Sequence, residues 1–134
     1  MLNLNNKGQS LVMFIVLVPI LLLVITLVYD VGNAIYDKNN LSNTNYLVVD
    51  YALDNMDTIS YDELNELIKK NDNTIDNVNI VIESDNIDIS LNKKYSVIFG
   101  KLFNFNVVEI NSEYNGKLVN GEKKIERVKW YYGW

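Results

Sequence analysis

The sequence LVMFIVLVPILLLVITLVY, from Leu11 to Tyr29, contains nineteen consecutive residues without a charge. At a rise of about 1.5 Å per residue, a helix of this length spans about 28 Å, close to the ~30 Å hydrocarbon thickness of a bilayer. The run has no polar face, which disfavours burial as a helix of a water-soluble core. We therefore predict a transmembrane helix over residues 9–30. The residues that mark its course are Leu11, Phe14, Pro19, Thr26 and Tyr29.

A cleavable secretory signal is the alternative to a permanent span. The apolar core of such a signal normally covers ~7–15 residues and ends in a small-x-small cleavage site. Gly32-Asn33-Ala34 resembles that site, but Asp30 intervenes and the apolar run is longer than a signal requires. The sequence therefore favours a span that is retained.

The charges that flank the apolar run predict its orientation. Lys7 precedes the run, whereas Asp30 and Asp37 follow it, with Lys38 as the only nearby cation on that side. Positive charge concentrates on the cytoplasmic side of membrane spans. We expect a single-pass protein of the cell membrane, with its N-terminus in the cytoplasm and its C-terminal hundred residues outside.

The composition argues against several functional classes. The 134 residues include no Cys and no His, which removes thiolate nucleophiles, histidine acid–base chemistry and the common zinc ligand sets. Net charge is −5 and the Lys and Arg residues are scattered, so nucleic acid is not an expected partner. Exposed strand faces or turns explain the carboxylate pairs Asp85/Asp88 and Glu109/Glu113. We expect no enzyme activity, cofactor or metal.

Apolar residues beyond Asp30 recur mainly at seven-residue spacing, as at Ala34, Leu41 and Val48. This spacing places them on one stripe of a helix that continues over residues 31–56. We expect the stripe to pack on a sheet rather than on a partner helix. Because Asn has low helix propensity, a break near Gly32 or Asn40 is the alternative to a continuous helix.

Residues 57–134 are predicted to form a small α+β domain with an antiparallel sheet. Ser60 and Glu63 have the spacing of a capping box, which begins a short helix that ends at about Asn71. Two alternating segments follow, around Ile80 and Ile89, joined by a turn at residues 84–86. This alternation is typical of a hairpin with one buried face.

The final part of the chain predicts a crossing segment, further strands and an aromatic end. Residues 95–105 are apolar around a glycine and suit a short crossing segment or a helical turn over the core. A strand over 107–114 is expected to turn at Tyr114-Asn115-Gly116-Lys117, and a second turn is expected at Asn120-Gly121. The aromatic end is interpreted as core closure, a partner-binding anchor or a membrane-surface belt. Its residues are Trp130, Tyr131, Tyr132 and Trp134.

The flanks of the apolar run are more specific than its hydrophobicity. Their pattern consists of Gly8, the sequence QSLVMF at residues 9–14, Pro19, Asp30-Val31-Gly32 and Leu41-Ser42-Asn43. Over about residues 7–53 the chain resembles the TadE/TadG-like family of pilus-assembly proteins, relatives of type IV pilins. The family pattern is a glycine, a short polar step, an apolar helix with proline at this offset, a D-x-G turn and a leucine-centred segment.

This resemblance implies a fold, a processing step and partners. The implied fold is pilin-like α+β, with a long N-terminal transmembrane helix that continues as a spine packed on a small antiparallel sheet. A prepilin peptidase would cut between Gly8 and Gln9 at the cytoplasmic face and remove residues 1–8 as a short polar leader. The implied partners are the lipid bilayer, other pilin-like subunits and the membrane assembly platform.

Met13 departs from the family pattern. Family members of the cleaved type carry Glu at this position, where it is thought to neutralise the amino terminus of a neighbouring subunit. Met13 cannot form that pair, which leaves a minor or tip subunit, an uncleaved TadG-like accessory protein and a non-polymerising relative. The expected function is a structural minor pilin- or pseudopilin-like component of a Tad-type (Flp, type IV-related) pilus or secretion apparatus. The alternative is a membrane-tethered binding module that does not polymerise.

Overall fold

The computed structural model describes residues 2–102, 104 and 107–128, with side chains from residue 7 onward. Helices and strands in this part of the chain are α1 (Leu2–Asp54), α2 (Tyr61–Asn71), β1 (Asn77–Ile82), β2 (Asn86–Ser96), α3 (Ile98–Lys101), β3 (Val107–Val119) and β4 (Glu122–Arg127). They form two compact units. Of the described residues, the N-terminal unit combines those up to Asn33 with those between Ser96 and Val107. The sheet unit combines Ala34–Tyr95 with the described residues from Val108 onward.

Helix α1 is continuous from Leu2 to Asp54. It passes through Gly32 and Asn40, so neither of the two predicted alternative break points interrupts it. Asp30-Val31-Gly32 is therefore helical, and the D-x-G turn that the family resemblance implied is not formed. Pro19 also lies inside the helix, where it removes one backbone hydrogen bond without ending the element.

The sheet unit contains four antiparallel strands in the order β1-β2-β3-β4. The predicted first hairpin is confirmed, because Ile82 pairs with Ile87 and the Glu83 N–H donates to the Asn86 carbonyl at 2.7 Å. The Ser60 half of the predicted capping box is confirmed, since the Ser60 hydroxyl accepts the Glu63 N–H at 3.2 Å and α2 ends at Asn71. The Glu63 carboxylate accepts a hydrogen bond from the Tyr51 hydroxyl at 2.6 Å. Local sequence signals thus determine both elements.

One face of the sheet packs against the apolar stripe of α1. The fully or almost fully buried residues of this core are Leu41, Val48, Val49, Ala52 and Leu53 from α1, Leu64 and Ile68 from α2, Ile75 from the loop after α2, and Ile80, Ile87, Ile89, Leu91 and Ile110 from the sheet. The stripe predicted from seven-residue spacing therefore packs on a sheet, as expected. This arrangement confirms the predicted α+β class.

The predicted turn at Tyr114-Asn115-Gly116-Lys117 is wrong. Strand β3 runs straight through these residues, and Gly116 pairs with Ile125 of β4. A Cβ atom on Gly116 would lie 2.5 Å from Val49 Cγ1 and 2.9 Å from Leu53 Cδ1. The glycine is therefore needed because α1 packs directly over the strand at this point, and its lack of a side chain permits the close approach.

The second predicted turn, at Asn120-Gly121, is confirmed. The φ angles are 54° at Asn120 and 80° at Gly121, and positive φ at both central residues is typical of the type I′ turn that joins two antiparallel strands. The aromatic end that includes Trp130, Tyr131, Tyr132 and Trp134 lies outside the described residues.

Candidate membrane span and its junction at Asp30

The apolar part of α1 is not covered by the described protein. Within the part of α1 from Lys7 to Asp54, one window is long and apolar enough to cross a membrane, and none of that window is buried. Leu11 is 60% exposed, Phe14 65% and Leu22 58%. A continuous apolar surface of this size is unfavourable in water, and it indicates contact with lipid or with partner helices. The structure thus supports single-pass anchoring through α1.

The polar group inside this window is satisfied within the helix. Thr26 Oγ1 donates to the carbonyl oxygen of Leu23 at 2.8 Å. A hydroxyl that donates to a carbonyl of the preceding turn needs no water or external partner. Polar groups in the hydrocarbon region of a membrane must be satisfied in this way. Thr26 is therefore compatible with a lipid-facing helix.

Asp30 follows the last apolar residue of the run and is 6% exposed. Its Oδ1 accepts the backbone N–H of Ile98 at 2.9 Å, and its Oδ2 accepts the N–H of Phe99 at 2.5 Å. These two N–H groups belong to the first turn of α3, whose N-cap residue, Val97, provides no side-chain hydrogen bond. Asp30 therefore caps α3 from 68 residues earlier in the chain.

This interaction gives Asp30 a structural role that the sequence did not reveal. The segment 95–105 was predicted as a crossing segment or a helical turn over the core. The helical turn is present as α3, in the N-terminal unit. The carboxylate of Asp30 fixes its start, and this contact depends on the tertiary structure, so no local pattern could predict it.

The other motif residues do not converge on one site. Gly8 and Gln9 are exposed, and a Cβ on Gly8 would contact nothing within 4 Å. Gly32 is equally open. Leu41 is 0% exposed in the core of the sheet unit, whereas Asn43 is exposed. The conformation of the chain therefore gives Leu41 a packing role and leaves Gly8, Gly32 and Asn43 accessible.

Asn45 is a buried polar residue that sequence analysis missed. It is 0% exposed, and its Nδ2 donates to the carbonyl of Ile89 at 2.9 Å and to the carbonyl and hydroxyl of Ser112 at 3.1 and 3.3 Å. These bonds link α1 to β2 and β3. The available signal was its position, four residues after Leu41 on the buried stripe.

A group of ionised side chains links α1, β2 and the end of α2 within the sheet unit. Lys93 Nζ lies 3.2 Å from Asp72 Oδ2 and 3.9 Å from Asp37 Oδ1, and the three side chains are 14–25% exposed. Burial raises the pKa of Asp72, but hydrogen bonds from Thr74 and the Lys93 ammonium outweigh it and leave that pKa below its ordinary value. Asp72 therefore stays ionised at neutral pH, where it pairs with Lys93.

Two carboxyl groups meet on the sheet in a pairing that sequence spacing did not predict. Asp88 and Glu113 interact across β2 and β3, and Glu109 instead accepts a hydrogen bond from Asn92. Burial, followed by the charge of Asp88 and the hydrogen bond with it, raises the pKa of Glu113. Ionisation of Glu113 is thus disfavoured in the folded state.

The apolar helix, Asp30 and Leu41 occupy one continuous part of the chain, and this part is the one that a family model recognises. The model of TadE-like proteins matches residues 8–44. This segment is TadE-like. The match begins at Gly8 and includes Pro19, Asp30-Val31-Gly32 and Leu41-Ser42-Asn43, which confirms the resemblance drawn from those residues.

The TadE-like segment covers most of α1 but none of the strands. Comparison of the whole chain with curated proteins and with solved structures finds no match. The match to the TadE-like model therefore concerns the candidate membrane helix and the first part of its continuation.

Proposed function

We propose that this protein is a structural, minor pilin- or pseudopilin-like component of a Tad-type pilus or secretion apparatus. The observation that carries the proposal is the coincidence of the TadE-like segment with a long helix whose apolar window is entirely unburied. The helix acts by packing laterally in the membrane against other pilin-like subunits, and the sheet unit is displayed outside the cytoplasm. This role requires no catalytic residue and no cofactor.

The orientation rests on charge. Lys7 precedes the apolar window and is exposed, whereas Asp30 and Asp37 follow the window. The positive-inside bias therefore places the N-terminus in the cytoplasm. In this orientation the assembly platform and a prepilin peptidase meet the N-terminal end of α1 at the cytoplasmic side.

Processing at Gly8-Gln9 is part of the proposal. Both residues are exposed, and a Cβ added at Gly8 would meet none of the described residues within 4 Å, which supports access of a peptidase to this position. The test is co-expression of the full chain with a prepilin peptidase in bacterial membranes, followed by N-terminal sequencing. A start at Gln9 supports pilin-type maturation, and Gly8→Leu should then abolish it.

A start at Met1 in the presence of active peptidase would show that the helix is a permanent, uncleaved anchor. A start after Ala34 would show that the whole apolar run is a removed signal, which would overturn the membrane role. A known substrate of the same peptidase, expressed in the same cells, controls for peptidase activity.

Lateral packing is tested by cross-linking, because the chain has no Cys and each introduced thiol is unique. Leu22→Cys places a thiol on the exposed apolar helix, and Val81→Cys places a matched thiol on the sheet unit, where Val81 is 49% exposed. Cross-links from position 22 to pilin-like subunits support the structural role. A chain that is inserted but forms no cross-links at any apolar helix position supports the alternative, a tethered binding module.

A further inference from the structure

We propose that α3 is a second membrane contact, which places Ile98 and Leu102 in the interface of the leaflet where the apolar part of α1 ends. The proposal rests on the proposed membrane span and adds a lipid-binding surface to it. This surface, the α3 patch, consists of Ile98 and Leu102, with Lys101 between them in the sequence. The ligand is the headgroup and upper acyl region of the bilayer itself.

The hydrogen bonds to Asp30 set the depth of α3 along the helix α1. Asp30 is the residue after Tyr29, the last member of the apolar run, and it holds the N–H groups of Ile98 and Phe99 at 2.9 and 2.5 Å. The start of α3 therefore lies at the level at which the apolar run gives way to polar sequence. Tyr29 is an aromatic residue typical of the membrane–water boundary. A segment fixed beside this point lies at the interface.

The two apolar residues of the α3 patch are exposed. Val97 and Gly100 are buried, whereas Ile98 is 47% exposed and Leu102 is 61% exposed. Residues four apart lie on the same side of a helical turn, so Ile98 and Leu102 form one apolar surface. The short helix thus buries one side within its own unit and exposes an apolar side, formed by Ile98 and Leu102, on the surface.

The charge of Lys101 and the position of the α3 patch next to the span both favour lipid as its partner. Lys101 is exposed beside the two apolar residues, and a lysine at a membrane boundary can extend its ammonium group to lipid phosphates while its methylene chain contacts the acyl region. The α3 patch is also contiguous with the span through the Asp30 bonds. A lipid surface satisfies both the apolar and the cationic components, and this combination favours it over an apolar helix of a neighbouring subunit.

The test uses the full chain in vesicles of phosphatidylcholine and phosphatidylglycerol at low protein density. Leu102→Cys carries an environment-sensitive fluorophore, and nitroxide lipids quench the fluorophore from the headgroup region or from deep in the acyl chains. Leu22→Cys reports the span, and Val81→Cys reports a residue of similar exposure in the sheet unit. We expect a blue-shifted emission at position 102, with severalfold stronger quenching by the headgroup nitroxide than at position 81.

Quenching at position 22 but not at position 102 would overturn this inference and leave the proposed span intact. The absence of quenching at both positions would overturn the span as well. Protection of position 102 that develops only at high protein density, together with cross-linking to a second chain, would identify a protein neighbour and would also overturn the lipid assignment.

A variant of Asp30 tests whether this residue positions the α3 patch at the membrane interface. In the Asp30→Ala background the first N–H groups of α3 lose their acceptor, and we expect quenching at position 102 to fall towards the value at position 81. Quenching at position 22 and the far-ultraviolet circular dichroism should stay unchanged, which controls for insertion and folding. Undiminished quenching at position 102 in this background would show that Asp30 does not position the patch.

Discussion

Two stretches of α1 use apolar residues in different ways. From Leu11 to Tyr29 apolar side chains surround the helix and are largely exposed. From Leu41 to Leu53 the buried apolar side chains form one stripe, and the positions between them, Leu47 included, are largely exposed. A helix that is apolar all round requires an apolar environment, while a striped helix requires a single packing partner. The periodicity of the apolar residues, rather than their number, therefore indicates which stretch packs on protein and which on lipid.

The largest expected effect tests this contrast directly. Ile89→Ala removes a 0% exposed side chain from the face that packs on the striped stretch, and we expect the free energy of unfolding to fall by about 2–5 kcal/mol. Leu22→Ala removes a similar side chain from the exposed apolar stretch and should change it by less than about 0.5 kcal/mol. Thermal unfolding of the full chain in detergent micelles measures both. Equal losses would contradict the assignment of the two stretches.

A smaller effect is expected where the striped stretch approaches the sheet most closely. Gly116→Ala places a Cβ 2.5 Å from Val49 Cγ1, and we expect a loss of about 1–3 kcal/mol from the displaced contacts. Gly32→Ala is the matched control, since a Cβ there contacts nothing within 4 Å and alanine is the better helix former. Chemical denaturation compares the two variants with the parent chain.

The double variant Gly116→Ala with Val49→Ala sharpens the interpretation. If the clash with Val49 causes the loss, the double variant should be more stable than the sum of the two single losses predicts. If the stability losses of the two single variants simply add in the double variant, the loss at Gly116→Ala comes from the backbone conformation of β3 rather than from Val49.

Gly116 also shows why part of the fold was predictable and part was not. Asn115-Gly116 and Asn120-Gly121 carry the same dipeptide, and both were interpreted as turns, yet only the second has positive φ. The dipeptide reports a local preference for a turn. Whether the glycine is used for a turn or for close packing depends on the path of α1 over the sheet, which no local pattern contains.

The same distinction separates the predictable from the unpredictable parts of the candidate site. The span follows from a continuous run of apolar residues, and the packing of Leu41 and Val48 follows from seven-residue spacing. The bonds from Asp30 to Ile98 and Phe99 join residues 68 and 69 positions apart, so sequence alone gave only an acidic residue beside an apolar run. Contacts of this kind depend on the tertiary fold rather than on local propensity.

A further prediction concerns the polar member of the buried stripe. Asn45→Ala removes the amide that donates to Ile89 and Ser112, and we expect a loss of about 1–2 kcal/mol because buried carbonyl groups lose a donor. Asn43→Ala is the exposed control on the same helix and should be neutral or slightly stabilising. Equilibrium unfolding in micelles distinguishes them. A stable Asn45→Ala chain would show that the hydrogen bonds contribute little beyond the burial of apolar neighbours.

The smallest expected effect lies at Glu113, in the sheet unit, and it depends on pH. Its pKa is raised in the folded state by burial and by Asp88, so folding favours the protonated form. That contribution is fully present below the unfolded pKa of ~4.3 and is lost as the pH rises through the raised folded pKa. Glu113→Gln should therefore stabilise the chain at pH 7 and make little difference near pH 4, as thermal unfolding across that range would show. Glu122→Gln, at an exposed position of β4, is the control, and its effect on thermal stability should be the same at both pH values. If the effect of Glu113→Gln also did not change with pH, this would contradict the interaction with Asp88.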